Sequence, residues 1–149
     1  MHALEEAWRV LVPHGIMVDL RPDCVENPLE LVFDGGLQPV AVLDSSSSRP
    51  ADLAADQAFE SAVHAGLFKP CKSEYFFLAF YWNSLADMLV DMKESWWNDV
   101  VLPKNVVRRA ARLYKKHPAP ARLRMSIRSK LVVYEKDDGM KIKSVRIVE

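Results

Sequence analysis

Near the amino terminus, residues 4–22 read LEEAWRVLVPHGIMVDLRP. Leu4, Ala7, Trp8 and Leu11 fall at i, i+3, i+4 and i+7, a single apolar stripe that predicts a helix over about residues 3–11. Glu5, Glu6 and Arg9 lie off that stripe. Pro13 and Gly15 stop the helix, and IMVDL (16–20) reads as a strand closed by Pro22. A one-sided helix reversing at once into an apolar strand has to lay its stripe on the sheet that contains that strand. The chain is therefore expected to be α/β.

The rest of the sequence extends this pattern. LELVF and QPVAVLD flank Asp34-Gly35-Gly36, a hairpin signal. DSSSSRP (44–50) is a polar loop too short to be a domain linker. A second helix is expected over about 52–65, ending at Gly66. Residues 68–82 are apolar and aromatic and predict a strand entering a core. Ser84-x-x-Asp87 resembles a capping box, and Leu85, Met88, Leu89, Met92 and Trp96 form the clearest helical stripe. A fourth helix is expected from Pro103 to about residue 116, with Val107, Ala110, Ala111 and Tyr114 inward and Arg108, Arg109, Arg112, Lys115 and Lys116 outward. In ARLRMSIRS, Leu123, Met125 and Ile127 alternate with Arg122, Arg124, Ser126 and Arg128, which predicts a half-exposed strand within 122–134. Asp138-Gly139 reads as a turn leading to a basic return strand, MKIKSVRIV.

The chain's 20 Lys/Arg balance its 20 Asp/Glu, but unevenly. Residues 1–100 hold 6 Lys/Arg against 16 Asp/Glu, a net of −10; residues 101–149 hold 14 against 4, a net of +10. Two blocks that cancel point first to neutralisation within the fold or between two copies, and only then to an anionic partner. Cys24 and Cys71 have no metal-type spacing, and the four histidines are scattered. The longest apolar run, YFFLAFYW (75–82), is too short to span a bilayer. With a charged helical pattern directly after Met1, a cytoplasmic location is expected.

The run Arg9-Val10-Leu11-x-Pro13-x-Gly15 followed by an apolar strand resembles the segment leading into strand five of class I S-adenosylmethionine-dependent methyltransferases. Val12 and His14 depart from that family's wording, and neither breaks the turn. The resemblance implies a partial, Rossmann-type mixed sheet with antiparallel carboxyl-terminal strands and about four helices. The strand at Ile16 would be strand five, 68–82 strand six, and 122–134 an antiparallel strand seven between them. It also implies that the family's cofactor half is absent. Five glycines occur in the chain and none forms a G-x-G loop after an amino-terminal strand. S-adenosylmethionine is thus a cofactor by resemblance only, with none bound by this chain alone, and residues 1–149 read as one methyltransferase-like carboxyl-terminal domain.

Loops after strands four and five line the acceptor pocket in that family, so Asp19 and Arg21, with Tyr81 and Trp82 at the end of the strand-six equivalent, are the candidate substrate-binding residues, for a small-molecule acceptor. No catalytic residue and no metal ligand is assigned. Two functions are carried forward: a truncated methyltransferase-like domain, and a non-catalytic dimerisation or ligand-binding module derived from that fold. A homodimer through an exposed sheet edge is expected, burying more than about 1,000 Å². Neither a membrane nor a nucleic-acid partner is expected, since no aromatic residue other than Tyr114 interleaves the basic helix face.

Overall fold

The computed structural model describes residues 2–23, 25–95, 100–117 and 120–139. Their order is α1 (His2–Val10), β1 (Ile16–Pro22), β2 (Glu26–Phe33), β3 (Gly36–Asp44), a 3-10 turn at Ser46–Ser48, α2 (Arg49–His64), β4 (Phe68–Trp82), α3 (Leu85–Ser95), α4 (Val106–Lys116) and β5 (Ala121–Lys136). Among the described residues the fold is α/β, with four helices and a five-stranded antiparallel sheet of order β1-β5-β2-β3, β4 also pairing with β5. The mixed character expected of the sheet is not seen among the described pairings. β2 pairs antiparallel with β3 through a direct hairpin and antiparallel with β5 on its other edge. Two compact units share these strands: one holds the described residues up to Leu20, Leu53–Glu74 and those from Leu131 on, the other Arg21–Asp52 and Tyr75–Lys130.

In the first unit the expected α1 stripe does its work. Leu4, Ala7, Trp8 and Leu11 pack with Met17, Phe59, Val63, Leu67, Phe68, Val132 and Tyr134. Tyr134 stacks on Phe59 at 4.8 Å and meets Phe68 edge-on at 6.4 Å. Lys136 fixes the helix end: its Nζ donates to the Leu11 carbonyl at 2.7 Å and lies 4.5 Å from the Trp8 ring, so a cation sits where the helix dipole is negative. The turn that follows needs His14 at φ 59°, and a Cβ on Gly15 would meet the Val12 carbonyl oxygen at 2.7 Å. Lys136 N–H donates to Gly15 O and Asp137 N–H donates to Leu67 O. Successive amides of a strand point to opposite sides, so β5 ends between the chain entering β1 and the chain entering β4.

In the second unit Phe33 pairs with Gly36 around the expected Asp34-Gly35 turn, with Gly35 at φ 96°. A bulge at Leu29/Glu30 accommodates Pro39 in β3. On the other edge of β2, Leu29 pairs with Met125 and Leu31 with Leu123. All four are fully buried, as the alternation in 122–134 requires, beneath Met88 and Met92 of α3 and Val106, Ala110 and Leu113 of α4. Ser84 Oγ accepts the Asp87 N–H at 3.1 Å, which starts α3 as its capping sequence indicates.

Four expectations need correction or fall elsewhere. The inward face of α4 is Val106, Ala110 and Leu113, while Val107 is exposed and Ala111 and Tyr114 are half-buried; the pattern was shifted by one residue because apolar neighbours at 106 and 107 fit either phase. α2 begins at Arg49, three residues before the expected start, with Pro50 in the first turn where its missing N–H costs nothing. β4 does not enter a core along most of its length: Tyr75, Phe77, Leu78 and Tyr81 are exposed, because among the described residues no second layer covers that part of the strand. Trp96, Trp97 and the return strand MKIKSVRIV lie outside the described residues.

Candidate functional site

Of the four residues singled out from the sequence, Arg21, Trp82 and Tyr81 each meet a different residue. Asp19 is buried in the first unit. In the second, Arg21 Nη1 donates to the Asp52 carbonyl at 2.9 Å, bracing the first turn of α2. Trp82 is a core residue whose indole N–H donates to Asp91 Oδ2 at 2.8 Å. Tyr81, its neighbour along the strand, points to the other face, where Arg122 lies 5.0 Å from its ring. Trp82 therefore holds α3 on the sheet, and Tyr81 belongs to an exposed surface. Among the described residues no group of three or more His, Cys, Asp or Glu is placed to hold a metal ion, and no helix is long and apolar enough to cross a membrane.

Two exposed faces stand out among the described residues. The first belongs to β1. Met17 faces the core of the first unit, and the alternate residues Ile16, Val18 and Leu20 are 63%, 55% and 50% exposed. Counting three residues from the Gly15–Lys136 bond along each antiparallel strand sets Val18 opposite the half-buried Val133. Beside them, exposed Cys71 Sγ lies 3.7 Å from Glu135 Oε2, and His14 Nδ1 is 2.7 Å from Glu135 Oε1. The result is an apolar row with a polar end, on a strand that, among the described residues, has β5 as its sheet neighbour.

The second face lies in the second unit, where rings of β4 meet cations of β5. Arg128 lies 5.4 Å from the Tyr75 ring and Arg122 5.0 Å from Tyr81. Between them, Phe77 and Ser126 border a hollow of about 390 Å³ lined also by Val25, Glu26, Pro28 and Arg128. Arg124 is held by Glu30 through Nη2 at 2.6 Å and Nε at 3.1 Å, and that bond, with Tyr81 beside it, raises its already high pKa. Arg128 also donates to Asp23 Oδ2 at 2.7 Å. Tyr75, Phe77, Arg122 and Arg128 were not candidates on sequence, because the rings and the cations are about fifty residues apart and only strand register joins them.

No family model, curated protein or solved structure matches this chain.

Proposed function

We propose that this chain is a non-catalytic, dimerising binding module built on a methyltransferase-like half-fold. The observation that carries the proposal is the exposed row Ile16, Val18 and Leu20 on a paired strand. Contiguous apolar surface of this kind marks an interface, and one row meets its own copy across a twofold axis without further design. Fully burying such a side chain is worth about 1.5–3 kcal/mol, and these are already half covered, so three from each copy supply roughly 6 kcal/mol. Association costs about 4–15 kcal/mol. The row alone therefore falls short of the about 8 kcal/mol net that a micromolar pair needs, and the opposed charge blocks of the sequence and the rest of the interface have to supply the difference.

The lineage is supported by the β1, β5, β4 adjacency, the order in which strands five, seven and six stand in those methyltransferases. The glycines have structural work in this chain: Gly35 and Gly36 shape the β2–β3 hairpin, and Gly15 and Gly66 follow helices. A small-molecule acceptor at Asp19, Arg21, Tyr81 and Trp82 is the enzymatic alternative. The Arg21–Asp52 and Trp82–Asp91 bonds give two of those residues structural work instead.

Two measurements on the full chain test this. Titration calorimetry with S-adenosylmethionine should give no saturable heat; saturable binding would restore the enzymatic reading. Light scattering should find that Val18→Asp lowers the mass to the 17.0 kDa chain without loss of secondary structure. A Val18→Asp protein with the wild-type dimer mass would remove β1 from the interface.

A further inference from the structure

We propose that the β4/β5 face of the second unit binds single-stranded nucleic acid, independently of dimerisation through β1. The face offers three planar rings among four successive same-side positions of β4, with Ala79 at the fourth. Tyr75, Phe77 and Tyr81 are all exposed on the same side of β4, Phe77 most of all at 69%. Across the strand pair, residues 122–130 contain Arg122, Arg124, Arg128 and Lys130 and no acidic residue. Two of these cations, Arg122 and Arg128, lie over Tyr81 and Tyr75. Arg122 is exposed beside its ring, while Arg128 is shared with Asp23 and Arg124 with Glu30, so an arriving phosphate exchanges with those carboxylates at the second and third cations. The ligand that satisfies both features is a chain of flat π-faces joined by negative charges, which describes an unpaired polynucleotide.

Spacing favours a single strand over a duplex. Alternate side chains on a β-strand stand roughly 6.7 Å apart, about twice the 3.4 Å rise per nucleotide of a stacked strand. Bases pulled apart fit that interval and stacked base pairs do not. Between the two cation-backed rings, Phe77 borders the 390 Å³ hollow with Pro28 and Ser126, room for one base lying on the ring with its edge toward the hydroxyl. Glu26, in the same lining, sets a limit on charge: backbone phosphates are expected on the Arg122 and Arg128 flanks, not over the hollow. The basic surface of α4, where Arg108, Arg109 and Arg112 line a separate hollow of about 290 Å³, has charge without alternating rings. It serves as the internal comparison.

The test is fluorescence anisotropy with labelled oligothymidine and oligouridine of about 12 nucleotides, inside the usual range of about 4–16 per site, against a duplex of the same length. Single strands are expected to bind the full chain, and progressively more weakly as salt rises. Phe77→Ala should weaken binding about 10-fold or more with an unchanged circular dichroism spectrum, because the ring is exposed. Joint replacement of Arg108, Arg109 and Arg112 by Ala should change it less than about 3-fold. No single-strand binding at about 100 µM protein in low salt would overturn the proposal. So would a duplex bound as tightly, equal competition by an acidic peptide, loss of binding only in the α4 variant, or a Phe77→Ala protein that loses its dimer and never bound the oligonucleotide.

Discussion

Replacing Met125 tests the frame on which both faces rest. Its side chain is fully buried, it pairs with fully buried Leu29 across the β2–β5 ladder, and buried Leu123 and Ile127 flank it on the same face. Met→Ala at such a site costs about 2–5 kcal/mol. Taking about 3 kcal/mol, and about 2–4 °C per kcal/mol for a chain of this size, the melting temperature should fall by roughly 6–12 °C. Met125→Asp adds an unpaired carboxylate to the same space, a further few kcal/mol, so the total reaches the lower end of the about 5–15 kcal/mol that holds a domain folded. The buried carboxyl would escape part of that cost by staying protonated. Its folded pKa would then lie above the unfolded one, so the defect should deepen as pH rises from 4 to 8. Thermal melts followed by circular dichroism at both pH values read this directly. Arg122→Ala, on the exposed side of the same strand, should cost no more than about 1 kcal/mol. A Met125→Asp protein melting within about 2 °C of wild type would show that the β5 register is wrong and, with it, the placement of Arg122 and Arg128 beside the rings.

Trp82→Phe keeps the ring in the core and removes its bond to Asp91; urea unfolding should register a loss of about 1–2 kcal/mol, and no loss would mean that the indole N–H does not tie α3 to the sheet. Asp44 accepts the Ser46 N–H at 2.8 Å, and this bond, with the Ser46 hydroxyl, holds its carboxyl below the usual carboxylate range. The stability it contributes is present above the ordinary value of 3.8 and is lost as pH falls through the lower folded value. Acid unfolding of Asp44→Asn should therefore show a slightly shallower pH dependence below about pH 4, and a steeper one would contradict the assignment.

Periodicity along the chain disclosed most of the scaffold. The α1 stripe, the Asp34-Gly35 hairpin, the Ser84 cap and the β5 alternation each concern residues within one element or one turn, where geometry follows from spacing alone. Failures came where an element's surroundings decide. Residues 75–82 read as core because they are apolar, yet apolarity does not say whether a second layer covers the strand. In α4 the paired valines at 106 and 107 admitted two phases, and packing onto β2 and β3 chose the first. The aromatic and basic face was invisible for a further reason: Tyr75 and Arg128, or Tyr81 and Arg122, become neighbours only through the β4–β5 register, which no local pattern encodes. Asp19 and Arg21 stood out as a charged strand end, and Arg21 turned out to support α2.

The central claim is that the exposed β1 row is covered by a second copy of the chain. Sedimentation equilibrium of the wild-type protein over a range of low micromolar concentrations tests it most directly. The mass should rise with concentration from the 17.0 kDa of one chain toward twice that value, and the Val18→Asp protein should stay at the lower value throughout. A wild-type protein sedimenting as a single 17.0 kDa species across the whole range would contradict the claim.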